Sequence, residues 1–142
     1  MNRLGFTCAA LALFACGDPR DPFLGMYEGH ATLVADWTDR PSDTEQYTDQ
    51  VHVSPARDGQ RVFLSQLCGL PATVRDADQL EIVGVTCTEQ SLGCLATWTV
   101  TGGSATLEGA RFTLQYVASV VVDCPTQTYS AFTNTTIDAT RK

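Results

Sequence analysis

The sequence predicts an all-β domain, an antiparallel up-and-down β-barrel of about eight or nine strands, with a β-sandwich as the alternative. Three observations point there. Polar and apolar residues alternate with a period of two over long stretches, no stretch carries a helical period, and nearly all connections are short turn-forming segments. A meander of consecutive strands avoids open edges best by closing on itself, whereas a Greek-key sandwich needs longer crossovers.

The first strand begins near Met26, with Tyr27, Gly29, Ala31, Leu33, Ala35 and Trp37 on one face and Glu28, His30, Thr32 and Asp36 on the other. The polar segment 39–45, broken by Pro41, reads as a loop. A second strand, Gln46 to Ser54, places Tyr47, Asp49, Val51 and Val53 together. Asp58-Gly59 then makes a hairpin turn that sets Val53 opposite Leu64, with a third strand from Gln60 to Leu67. Strands over 70–76 and 80–87 form the next hairpin about Ala77 and Asp78. Leu95 to Thr101 and Ser104 to Glu108 form another about Gly102-Gly103, and Gly109-Ala110 turns the chain again. Arg111 to Asp123 has the cleanest alternation, with Phe112, Leu114, Tyr116, Ala118, Val120 and Val122 on one side, and is expected to be central. A last strand, Thr126 to Thr140, alternates more weakly through Tyr129, Ala131 and Ile137.

Ahead of these strands, Arg3 supplies a positive start, Leu4 to Phe14 an apolar run of 11 residues, and Ala15 a small residue before Cys16. The pattern reads as an export signal, and Gly17-Asp18-Pro19-Arg20-Asp21-Pro22 ends the run well short of the roughly 20 residues a membrane-spanning helix needs. Leu13-Phe14-Ala15-Cys16 resembles the lipobox of bacterial lipoproteins. The resemblance covers the leader alone, and Phe14 is bulkier than the usual occupant of its place. It implies removal of residues 1–15, lipidation of Cys16 and stable anchoring by several acyl chains. Gly17 after the cysteine resembles lipoproteins forwarded to the outer membrane. The expected organisation is a signal peptide over 1–15, a lipidated tether over 16–22 and one domain over 23–142.

With the leader gone, 127 residues remain, enough for one domain with its own core. Arg3 is one of nine Lys/Arg residues, so eight basic groups then face 16 acidic ones and the net charge is near −8. Such a chain repels phosphate backbones and has no basic cluster to offset this, which argues against nucleic acid. Cys68, Cys87, Cys94 and Cys124 are the even number that a disulfide framework needs in an oxidising compartment. Hairpin geometry favours Cys68 with Cys87 and Cys94 with Cys124. The rival, Cys87 with Cys94 and Cys68 with Cys124, stays open because spacing does not fix connectivity.

The chemistry-bearing residues form no motif. His30 and His52 mirror one another about residue 41 as possible cross-strand neighbours, yet both fall on polar faces and no third ligand is forced near them. Asp36, Asp39, Asp43 and Glu45 lack the spacing of a calcium loop. No Gly-x-Ser-x-Gly occurs, and Asp49 alone is a carboxylate on an inner face, expected to bond to backbone or to Tyr47. No metal, cofactor or catalytic residue is expected. Tyr27, Trp37, Gln66, Trp98, Phe112 and Tyr116 are the candidate lining of a ligand cup, although a barrel of this size is expected to be filled by its own side chains.

Phe23-Leu24-Gly25-Met26-Tyr27 resembles the opening of lipocalin-type barrels, with Tyr27 where those carry Trp. The resulting expectation is a non-enzymatic lipoprotein of the cell envelope that binds through a protein surface or the loops around Trp37. Two alternatives are a lipocalin-like carrier of a small apolar ligand and an inhibitor of a secreted hydrolase that acts through a projecting loop over 37–45.

Overall fold

The structure, a computed structural model, describes residues 17–142. The expected leader and the expected lipidation site, Cys16, lie outside the described residues. Nine strands make one antiparallel sheet: β1 Gly25–Trp37, β2 Asp43–Pro55, β3 Arg61–Leu64, β4 Leu70–Asp76, β5 Gln79–Ile82, β6 Val85–Ser91, β7 Cys94–Glu108, β8 Arg111–Asp123 and β9 Thr128–Arg141. Their spatial order is β5-β4-β3-β2-β1-β9-β8-β7-β6, and β5 also pairs with β7, so the sheet returns on itself.

The closure is confined to one end of the molecule, because strand lengths are unequal. β3, β4 and β5 have 4, 7 and 4 residues, while β1, β2, β7, β8 and β9 have 13 to 15. At roughly 3.3 Å per residue the short strands span only a third to a half of the long ones. β3 pairs with β2 only over Val53, Ser54 and Pro55, and β5 with β7 only from Gln79↔Thr106 to Ile82↔Gly103. Beyond them the sheet β2-β1-β9-β8-β7-β6 continues with β2 and β6 as its edges. The molecule thus has a closed half and an open half.

The closed half holds the main core. Tyr27, Phe23, Phe112, Leu64, Leu70, Leu80, Leu114 and Ile137 are its largest fully buried side chains, each contributing about 1.5–3 kcal/mol by leaving water. Tyr27 stacks on Phe112 with ring centroids 4.5 Å apart and donates its hydroxyl to the Phe23 carbonyl at 2.8 Å. Gly29 and Gly103 lie where neighbouring backbone comes close. A Cβ on Gly29 would meet the Asp138 carbonyl and Ala139 Cα, and one on Gly103 the Gln115 carbonyl and Tyr116 Cα.

Several details depart from expectation. β7 runs unbroken through Gly102-Gly103, where a hairpin turn is expected. The register shifts between Val100 and Gly102, so the glycines form a bulge and not a reversal. That bulge lets one edge of β7 pair first with β6 and then with β5. The expected strand over 80–87 is split at Val83-Gly84 into β5 and β6, and β6 reaches Ser91 before a tight turn at Leu92-Gly93, both at positive φ. β3 ends at Leu64, short of the expected Leu67, with Val53↔Leu64 paired as expected. His30 pairs with Thr48 and His52 with Met26, so the two histidines are not opposite one another. Both disulfides of the favoured connectivity, Cys68–Cys87 and Cys94–Cys124, are present.

Far from hanging free, the segment after Gly17 packs on the closed half. Arg20 is held by the Asp18 carboxylate at 2.5–3.0 Å and donates to the carbonyls of Ala56 at 2.9 Å and Arg61 at 3.3 Å. The paired guanidinium holds the Asp18 carboxyl down at about 2. A 3-10 turn, Asp21–Phe23, then buries Phe23 completely. This segment and the β1–β2 link at 38–42 sit at opposite ends of the long strands.

Candidate ligand site in the open half

The inner face of the open half is set by strand alternation. Cross-strand partners place Trp37, Ala131, Val120, Trp98 and Cys87 in one row across β1, β9, β8, β7 and β6. One step toward the closed half, Ala35, Thr133, Ala118 and Val100 form the next row, and below them stand Leu33, Thr135, Tyr116 and Gly103. Tryptophans therefore stand at both sides of a floor of Ala, Val and Thr. Ala35, Val120 and Ala131 are buried, while Leu33, Trp37, Ala96, Trp98 and Val122 remain half exposed on the same face. The short β3, β4 and β5 stop before this face, and its own larger side chains cover Ala35, Val120 and Ala131.

Three devices shape the opening. Level with the tryptophan row the β3–β4 link is tied to β6 by Cys68–Cys87, and Gln66 in that link is buried and donates to the Gln50 carbonyl at 3.4 Å. At the rim the Arg40 guanidinium lies 4.5 Å from the Trp37 ring and 4.7 Å from the Tyr129 ring, a double cation–π contact that folds the β1–β2 link inward. The Thr38 N–H donates to the Ser130 carbonyl at 3.1 Å, and the Ser42 hydroxyl bonds Asp36. On β6, Glu89 accepts the Trp98 indole N–H at 3.0 Å and fixes that ring.

The polar groups at the base are unequally satisfied. Thr135, only 1 % exposed, has its Oγ1 beside the Tyr116 phenol but outside ordinary hydrogen-bond geometry. Its cross-strand neighbour Tyr116 has its phenol pushed up to about 12, chiefly by burial. The nearby Thr135 hydroxyl opposes that shift, and the charges of Tyr47 and Asp49 add to it. Asp49 accepts the Gln50 N–H at 2.8 Å, in line with the expected backbone bond. The side of β2 that carries buried Val51 and Val53 also carries Asp43, Glu45 and Asp49, so the field on this flank is negative.

The six candidate lining residues separate into two groups. Trp37 and Trp98 flank the open face and Gln66 and Tyr116 lie at its base, whereas Tyr27 and Phe112 are fully buried and stacked in the closed half. Sequence reasoning did not single out Leu33, Tyr129, Arg40 or Thr135. Thr133 and Thr135 continue the inward alternation of Ala131 and Ile137, and their polarity hides them. Among the described residues no group of three or more His, Cys, Asp and Glu side chains is placed to hold a metal ion. No family model, curated protein or solved structure matches the chain.

Proposed function

We propose that this chain is a lipid-anchored protein of the bacterial cell envelope, held by acyl chains on Cys16, whose β-domain acts by binding and not by catalysis. The observation that carries the binding reading is the set of half-exposed apolar side chains Leu33, Trp37, Trp98 and Val122, which pack over buried Ala35, Val120 and Ala131 on one face. Two tryptophans and two aliphatic side chains left half in water beside a filled core make an apolar surface of the kind that binding sites use. The anchor rests on the lipobox-like Leu13-Phe14-Ala15-Cys16.

Among binding readings, the carrier of a small ligand gains from this face. The inhibitor reading has little loop to use, since Asp43 to Glu45 belong to β2 and Thr38 and Arg40 hold the remaining residues against β9. The test is a native mass spectrum of the protein purified from its own envelope, set against its denatured mass and that of a Cys16→Ser variant. Extra mass lost on denaturation supports a bound small molecule. Acyl mass present in the parent and absent from Cys16→Ser, with release of the variant from the membrane fraction, supports the anchor. A bare native mass counts against the carrier, and an unmodified Cys16 counts against the anchor.

A further inference from the structure

We propose that the free edge of β2 adds an extended, basic segment of a protein partner as one more antiparallel strand, held by main-chain hydrogen bonds to Thr44, Gln46 and Thr48 and read by Lys or Arg side chains opposite Asp43, Glu45 and Asp49. The inference goes beyond the apolar face and holds whether or not a small molecule sits there.

The edge itself is the first support. The Ser65 N–H bonds the His52 carbonyl and Gln66 bonds the Gln50 carbonyl, so the even-numbered residues of β2 turn their backbone groups away from β1. β3 pairs with β2 only over Val53 to Pro55, and no described residue takes up the backbone N–H and C=O groups of Thr44, Gln46 and Thr48 on that side. From Asp43 to Thr48 every residue is exposed, on both faces of the strand. Natural edges are blunted by proline, by bulges, by a covering element or by charge. β2 runs in unbroken register with β1 from Asp43 to Val53, with no proline before Pro55. Charge is the guard that remains, and charge rejects some strands while it admits others.

The arrangement of that charge is the second support. Asp43, Glu45 and Asp49 share one side of β2 with Tyr47. A second copy pairing about Gln46 would set Asp43 opposite Asp49, and one pairing about Thr44 would set Asp43 opposite Glu45. Like charges directly opposite destabilise a pair of strands, so the edge refuses itself. A strand with basic residues at the matching alternate positions, and an apolar one against Tyr47, meets attraction at each of them. Backbone bonds then give affinity and the alternate side chains give selectivity.

The field of the whole molecule favours the same partner. The open half holds Asp36, Asp39, Asp43, Glu45, Asp49, Glu89 and Asp123 against Arg40 alone, a net −6. The closed half holds the other nine acidic and seven basic residues after Cys16, a net −2. Arg40 is moreover stacked on Trp37 and Tyr129 and paired with Asp39. A cationic segment is therefore steered to the half where the edge is free.

The probe is a fluorescein-labelled peptide, Lys-Thr-Val-Thr-Lys-Thr-Lys, titrated with the protein purified from its envelope and read by fluorescence polarisation at low salt. Saturable binding is expected, about tenfold tighter than for the same peptide with Glu in place of Lys, and weakened by added salt. A scrambled peptide with its three lysines adjacent should bind several times more weakly. N-methylation of the three threonines, whose N–H groups face β2, should weaken binding by about tenfold or more, whereas N-methylation of the valine and the central lysine should leave it nearly unchanged. Thr48→Pro removes an edge donor without touching the pairing with β1, so it should abolish binding while the urea midpoint stays close to the parent's. Equal binding of the ordered and scrambled peptides, or of Thr48→Pro and the parent, would mean charge attraction without strand addition and overturns the inference. No binding of the basic peptide at all overturns it too, and leaves the apolar face and its native mass spectrum untouched.

Discussion

Individual side chains show most sharply where local chemistry has set the backbone. At Gly29 the bond direction of a Cβ would run into the carbonyl of Asp138 on β9, so the glycine is required by the approach of two strands. Gly29→Ala is expected to cost about 3 kcal/mol, read as a lowered urea midpoint at unchanged slope. A change below about 0.5 kcal/mol would mean that β1 and β9 can separate freely there. Nothing in the sequence marks this glycine apart from Gly102, whose added Cβ would meet nothing. The same limit hid Thr135. Composition treats threonine as polar, and only the register beside Ala131 and Ile137 reveals that it faces inward. Trp37, Trp98 and Tyr116 were legible, because large aromatics at alternate positions in a strand point to the buried side whatever the partner strand.

Among the elements, those with a strict period of two were readable almost residue for residue. β8 spans Arg111–Asp123 as its alternation demands, flanked by β7 and β9 along its length. Where glycines interrupt the period, the sequence is ambiguous between a turn and a bulge, and β7 takes the bulge. β2 is a half-exposed edge. Its even-numbered residues direct their backbone groups away from β1, as the Ser65 N–H to His52 carbonyl bond at 3.0 Å and the Gln66 bond to the Gln50 carbonyl show. Thr48 therefore has its N–H on the free edge. Thr48→Pro should change stability by less than about 1 kcal/mol, whereas Tyr47→Pro, which removes a bond to β1, should cost about 3 kcal/mol or more. Equal effects in parallel unfolding curves would mean that β2 is paired on both sides in solution.

At the scale of the whole molecule, the strand order followed from short connections, while the unequal closure did not. It depends on where β3, β4 and β5 stop, and β3 stops because Ser65 to Gly69 leave the ladder to carry Cys68 across to β6. The base of the open half couples to global stability through Tyr116. Its phenol titrates higher folded than unfolded, so the folded state keeps its proton longer. The contribution is intact below pH 10 and is lost as pH rises from about 10 toward 12, at a cost on the order of 2 kcal/mol. Urea midpoints measured across that range should fall for the parent and stay flatter for Tyr116→Phe. Parallel slopes would place the alkaline sensitivity elsewhere.

The packing of Asp18 to Phe23 has a consequence for traffic. With Arg20 and Phe23 docked on the closed half, a lipid on Cys16 would have almost no slack, and the domain would stand on its bilayer like a post with its aperture uppermost. Thirteen-residue strands make such a post about 40 Å tall at most. On the proposed carrier reading, a ligand would then be gathered from the aqueous space and not drawn out of the leaflet in which the post is planted.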